Sequence, residues 1–297
     1  MNARRSLIAA AVVLGGALSP ASAQTWRTLT ASRPLGRDDS LRVVVRYGMG
    51  KLTLRAADPA VLYDLSMRYD ANIFRTQKSY DPSSHTLSVG ADSMTAERFS
   101  LRPHLFGGDN AKAVKDEEKI AEMTLGIARG IPIDLTVKTG IGASVLDLGN
   151  LWIANGRIES TMGDVMIAFS TANERPMNEL RIDAMMSGID VKQLGNARAR
   201  TVKMSATLGG GDVSLRGDWT GDMTLDVTVA VGGIQVRVPR DAGVKITAVT
   251  HLGGIDAAGF TEKNGEYTSP NYASATRKVL ITGSVSLGGL KVTWVDQ

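Results

Sequence analysis

MSGID (186–190), LGGGDV (208–213), VGGIQ (231–235), LGGID (252–256) and LGGLK (287–291) are five versions of one phrase: an apolar residue, a glycine-bearing corner, and an outgoing run in which apolar and polar residues alternate. MGD (162–164) is a sixth, barer version. Each corner is entered by a run of the same period, such as LRIDAMM (180–186), MTLDVTVAV (223–231) and VKITAVTHL (244–252). Period-two alternation marks strands with one buried face. Glycine between two such runs lets the chain turn sharply, because it reaches positive φ without a Cβ clash. The position before the first inward residue of each outgoing run is Asp164, Gly188, Asp212, Gly233, Gly254 and Gly289, which gives spacings of 24, 24, 21, 21 and 35. Self-similarity at such a period is the signature of stacked coils. The last interval reads as one coil plus an insertion at 261–277, TEKNGEYTSPNYASATR.

Aligned on those positions, the first inward column is Val165, Ile189, Val213, Ile234, Ile255 and Leu290. The second is Ile167, Val191, Leu215, Val236, Ala257 and Val292, and the incoming runs supply Ile158, Ile182, Met204, Val227, Ala248 and Gly283. One coil cannot bury such a face by itself, so consecutive coils must stack. Earlier corners at Gly48–Gly50 and Gly140–Gly142 extend the stack toward the N-terminus. The expected fold is all-β, a stacked-coil β-solenoid with an N-terminal β-rich portion. That portion is assigned to 24–130 and the repeat β-solenoid to 131–297. VLYDLSMRYD (61–70), IFRTQKSYD (73–81) and HTLSVG (85–90) interrupt the repeat as strands around a DPSS turn (81–84), and 92–119 is polar and irregular. The best helical candidate, NAKAVKDEEKIAE (110–122), reads as a solvated turn or short helix. The insertion carries Asn264-Gly265, a tight hairpin signal, and is expected to cap the C-terminal end of the stack.

The opening MNARRSLIAAAVVLGGALSPASAQ has a basic start at Arg4 and Arg5, an uncharged stretch over 7–18, and an A-x-A triplet at Ala21-Ser22-Ala23. It predicts a secretory signal peptide over 1–23 and an exported, periplasmic or extracellular chain, with a retained anchor as the alternative. No later stretch approaches the ~20 apolar residues of a membrane span. Cysteine is absent, which excludes disulfides, thiolate metal sites and a cysteine nucleophile. Net charge is +4, from 34 Lys plus Arg against 30 acids; without Arg4 and Arg5 it is 32 − 30, or +2. That is not the footprint of a nucleic-acid binder.

LRVVVRYGMGKLTLRA (41–56) and LYDLSMRYD (62–70), with NERPMNELRIDA, QLGNARA, VPRDAGVKI, GEYTSPNYASA and SLGGLKVTW further on, resemble the toast-rack family of bacterial envelope proteins, related to LiaF-like cell-wall stress-response proteins. The similarity covers nearly all of the chain after residue 23 and is weakest over 92–130. It implies a toast-rack-like fold and an envelope setting, and its LiaF-like side implies stress sensing through a membrane partner. It brings no catalytic residues with it.

Residues that could carry chemistry are few. Outward Asp190, Asp212 and Asp256 could suggest a polysaccharide-active site, but the alignment puts two coils between Asp190 and Asp256, with Asp212 one place out of their column. LGGGDV occurs once, whereas calcium-binding repeats need tandem copies. His85, His104 and His251 have no second ligand at metal spacing. No cofactor or metal is expected. Arg157, Arg181 and Lys203 form an outward column flanked by Glu159, Asp183 and Ser205, which reads as a self-compensated ladder. Two sets are candidates for ligand binding. Lys192, Arg216 and Arg237 would emerge from three consecutive strands as a basic stripe for an anionic envelope polymer, unless Asp190 and Asp212 neutralise it. Tyr267, Asn271 and Tyr272 in the insertion could stack on and hydrogen-bond to a sugar, or pack the insertion onto the stack. The favoured reading is a non-enzymatic envelope interaction or scaffold module, whose partner is an anionic polymer or an envelope protein. A stress sensor and a polysaccharide-active enzyme are the alternatives.

Overall fold

The computed structural model describes residues 25–93 and 120–296. The expected signal peptide, most of the irregular segment 92–119, His104 and most of the helical candidate lie outside them. The strands are β1 (Trp26–Pro34), β2 (Leu41–Ala56), β3 (Val61–Asp70), β4 (Phe74–Asp81), β5 (Thr86–Ser93), β6 (Glu122–Ile127), β7 (Pro132–Asp147), β8 (Trp152–Ala168), β9 (Glu179–Lys192), β10 (Thr201–Ser214), β11 (Met223–Pro239), β12 (Gly243–Asp256), β13 (Thr261–Lys263), β14 (Glu266–Thr268) and β15 (Lys278–Val295). All belong to one sheet, in the order β1-β3-β6-β2-β7-β8-β9-β10-β11-β15-β12-β14-β13, with β5 and β4 branching from β2. The fold is the all-β stack of coils expected.

Each long strand passes through its corner and forms two arms. In β9, Leu180, Ile182 and Ala184 are buried, Met185 and Met186 are exposed, and burial resumes at Ser187, Ile189 and Val191. The period of two slips at the corner, which keeps both arms facing one core. Gly232 shows why glycine is needed: its φ is 133°, and a Cβ there would run into the carbonyl oxygen of Gly209 on the neighbouring strand. After the outgoing arms of β8 and β9 the chain crosses back as a third side held by buried asparagines. Asn173 accepts from the Ile153 N–H at 3.0 Å and donates to its carbonyl at 2.9 Å. Asn196 donates to the Phe169 carbonyl at 2.8 Å and accepts from the Asp218 N–H at 2.7 Å. Buried amides satisfied in this way tie one coil to the next instead of costing free energy.

The incoming column holds residue for residue: Ile158, Ile182, Met204 and Val227 are successive partners. Two expectations need correction. The first concerns order. β15 is inserted between β11 and β12, so Val227 meets Gly283, and Gly283 meets Ala248. Ile234 therefore packs beside Leu290 and not Ile255. Gly283, at φ 130°, lets the inserted strand approach the Val227 carbonyl. The second correction is a two-residue shift in β10. Gly211 pairs with Ile189 and Ile234, whereas Val213 pairs with Val191 and Val236. The third glycine of LGGGDV thus occupies an inward position, and Leu215 lies beyond it in the third side, fully buried. Val191, Val213 and Ile234 are all core residues, while Ile255 is only half-buried because its strand lies at the end of the stack.

The two ends are finished differently. At the N-terminal end, β5 covers the incoming arm of β2 over Arg42–Tyr47, and β6 covers the outgoing arm over Lys51–Ala56. At the other end the insertion does form a hairpin on the stack, turning at Asn264 and Gly265 with φ of 54° and 78°. It sits on β12, not on the last strand in sequence, and β14 pairs only with Lys245 and Ile246.

Candidate functional site

The outward ladder on the incoming arms is compensated as expected. Glu159 accepts from Lys138 at 2.8 Å and Arg157 at 2.5 Å; Asp183 takes Arg181 at 2.7 Å; Lys203 takes Glu179 at 2.6 Å. Burial pushes the Glu159 carboxyl up, but the bonds from Lys138 and Arg157 outweigh it and hold the group below its ordinary value of 4.5.

On the outgoing arms the expected stripe is rearranged by the shift in β10. Ser214 stands opposite Arg237, in the place assigned to Arg216. Lys192, Arg216 and Arg237 nevertheless line one shallow cleft of about 460 Å³, with Asp190, Asp212 and Ser214. Asp212 is the direct partner of Asp190, so the two acids share a column after all, and Asp256 falls in it only beyond Gln235 and Lys291. Adjacent like charges cost free energy unless neutralised. Lys192 lies 3.4 Å from Asp190, Arg237 lies 2.5 Å from Asp212, and Lys291 lies 3.3 Å from Asp256. Arg216 differs: its Nε donates to the Asp296 backbone carbonyl at 2.8 Å, and it pairs with no carboxylate among the described residues. It is the cleft's available cation.

The insertion's candidates do not converge. Asn271 is spent on structure: Nδ2 donates to the carbonyls of Arg240 and Ala242 at 3.0 and 3.1 Å, and Oδ1 accepts from Ser269 at 2.8 Å. The Tyr272 ring lies under the Lys278 ammonium at 5.5 Å. Tyr267 packs against the core and faces a notch beside β12. Among the described residues no group of three or more metal-ligating side chains comes together.

Two features were not singled out from the sequence. A cavity of about 560 Å³ opens at the N-terminal corner, lined by Trp26, Met49, Ile73, Phe74, Ile120 and Ile141 among others. Its apolar walls come from strands far apart in the chain, so no local motif announces it. The second feature is legible in retrospect. The residue at the tip of every corner is apolar: Met49, Ile141, Met162, Met186, Leu208, Val231, Leu287 and Leu252 are partners strand by strand. Six of them are exposed, from 40% at Met186 to 68% at Leu252. They form an apolar ridge along the outside of the stack.

No curated protein matches this chain. Among solved structures it is similar to a "putative cell adhesion protein" from Clostridium sporogenes, at 14% identity and a TM-score of 0.46, over 91% of this chain and 100% of that one. It is also similar to a "putative adhesin" from Bacteroides fragilis, at 15% identity and 0.38, over 90% and 97%. A third similar structure is a "putative lipid binding protein" from Parabacteroides distasonis, at 11% identity and 0.35, over 90% and 96%. Residues 196–292 match the family described as cell wall-active antibiotics response LiaF, C-terminal. Residues 22–184, more than half of the 297, match the N-terminal domain of toast_rack, and the chain belongs to the toast-rack family.

Proposed function

We propose that the chain is an exported, non-catalytic interaction module of the cell envelope, and that the corner ridge is its binding surface. The ridge carries this reading. The charges on both arms are largely paired with one another, whereas the ridge runs over eight successive strands and presents six exposed apolar side chains, from Ile141 to Leu252, with nothing over them among the described residues. At 4.7–4.9 Å per strand it is roughly 33 Å long. A contiguous exposed apolar surface on a soluble protein marks an interaction site. The chemistry fits an envelope protein that offers a matching apolar strip. The family membership supports the envelope setting. In-cell cross-linking tests the reading: a Met186→Glu, Leu208→Glu double variant, folded as wild type, loses the envelope protein that wild type captures. Capture by both proteins alike would move the site elsewhere.

A second reading, a sensor of envelope stress, is favoured by the LiaF-like match over 196–292. No helix among the described residues is long and apolar enough to cross a membrane. In this reading a signal from this chain passes through a membrane partner. Identification of a membrane kinase or its accessory in the cross-linked product supports the sensor; a product free of such proteins supports the scaffold.

A further inference from the structure

Where β2 has both arms covered, β12 has two residues paired to the hairpin and then an open edge. Over residues 247–256 its outer side carries no strand among the described residues. Open edges invite pairing with another chain; this one carries no proline, and its one acid, Asp256, is paired with Lys291. Val249 and Leu252 on it are 59% and 68% exposed.

Gly254 shows what is missing. In three successive corners the second glycine, Gly210, Gly233 or Gly289, faces the strand that follows. A Cβ on Gly233 would stand 3.1 Å from the Gly289 carbonyl, and one on Gly289 would stand 3.3 Å from that of Gly254. In those places a side chain would be tight against the neighbouring backbone, and at Gly210, where a Cβ would stand 2.3 Å from the Gly233 carbonyl, it would not fit. A Cβ on Gly254 would meet nothing within 4 Å, and its φ is not in the left-handed region. Among the described residues the outer side of this corner opens onto a notch flanked by the hairpin residues Asn264 to Tyr267, with room for a further strand.

We propose that a second copy of this chain fills it, with the two β12 strands pairing antiparallel about a two-fold axis through the corner at His251 and Leu252. The open stretch is symmetric about that corner, with 247–251 on one arm and 252–256 on the other. A two-fold along the bisector of the corner exchanges the arms, so each copy's incoming arm lies against its partner's outgoing arm. Thr247 then faces Asp256, the last residue of β12, and each strand ends where the other's hairpin begins. His251 faces Leu252, and no like charges are opposed. Such a contact is self-complementary and closes at two copies. It does not depend on the corner ridge or on an envelope role.

Light scattering on the purified protein over a range of concentrations tests this. The expected mass rises to that of two copies and stops. Two variants address the edge. Gly254→Val places a side chain where the monomer has room and the partner strand must lie. Thr250→Pro removes an outward donor. Val244 directs both its N–H and its carbonyl toward the hairpin side, so the two-residue period puts Thr250 on the same side and leaves the β15 pairing intact. Each variant is expected to raise the dissociation constant at least about tenfold. If Gly254→Val misfolds, Thr250→Pro decides, together with concentration-dependent hydrogen-exchange protection of the 247–256 amides. A monomer at every concentration overturns the proposal. So does a mass that grows without limit, the mark of head-to-tail pairing with the β1 edge, or a dimer insensitive to both variants.

Discussion

At the scale of single residues, the corner glycines divide into those that need a missing side chain for two reasons and those that do not. Gly232 has both positive φ and a carbonyl where Cβ would go, so Gly232→Val is expected to cost about 3 kcal/mol or more, read as a lowered urea midpoint. Charged residues set the acid limit. Glu159 is held below 4.5 by its bonds from Lys138 and Arg157, and Asp81 is brought to about 2 by hydrogen bonds from Ser83 and Ser84. Carboxylates with depressed folded values stabilise the fold once ionised, and that contribution disappears as pH falls through those values. The thermal midpoint should therefore be flat down to about pH 5 and fall between about 4.5 and 2, with a shallower fall in Glu159→Gln. At the cleft, Arg216→Ser should reduce any low-salt binding of anionic envelope glycans more than Lys192→Ser does, because Lys192 already has Asp190. Glycan titrations in which the two variants behave alike would remove Arg216 as a ligand-binding residue. The alternation and the incoming column were legible in the chain. The β10 shift was not, because a run of three glycines carries no side chain to show which of them faces inward.

At the scale of elements, the interchange of β15 and β12 is the main departure from sequence order. LGGID and LGGLK have the same glycines and similar inward residues, so column matching cannot rank them as neighbours of VGGIQ. The discriminating contacts are long-range and few: Gly283 against Val227, and Lys291 between Gln235 and Asp256. The hairpin was legible from Asn264-Gly265, but which strand it would cover depended on that order. Because β12 pairs with β15 on one side and with only two residues of β14 on the other, removing residues 278–297 should detach β12 from the stack. Hydrogen exchange over 243–256 is expected to become unprotected while 179–192 stays protected. Equal protection in the truncated chain would contradict the order described.

At the scale of the molecule, a stack in which each coil touches only its neighbours has stability close to a sum of coil and interface terms. Val236→Asp, which would place an unpaired charge in the core next to Val213 and Val292, is expected to cost several kcal/mol and to split thermal unfolding into two transitions. Scanning calorimetry checks this, and a single sharp transition would show stronger coupling along the stack. The architecture was readable because repetition multiplies a weak local signal. The site was less so: the ridge residues are ordinary apolar residues until the register aligns them, and the N-terminal cavity depends on segments distant in the chain.

The position of β15 also imposes a timetable on a chain that emerges from its N-terminal end. Coils from β7 to β11 can add one upon another on β2 as they appear, each finding its neighbour already in place. β12 cannot, since the space beside β11 must be kept for a strand some 35 residues further on, as the interval from Gly254 to Gly289 shows. Until that strand arrives, β12 either waits unpaired or occupies its successor's place and must be displaced. A delay of this kind leaves a growing end exposed for the duration of delivery, so the last step of maturation, not the first, is where a holding chaperone would be most needed.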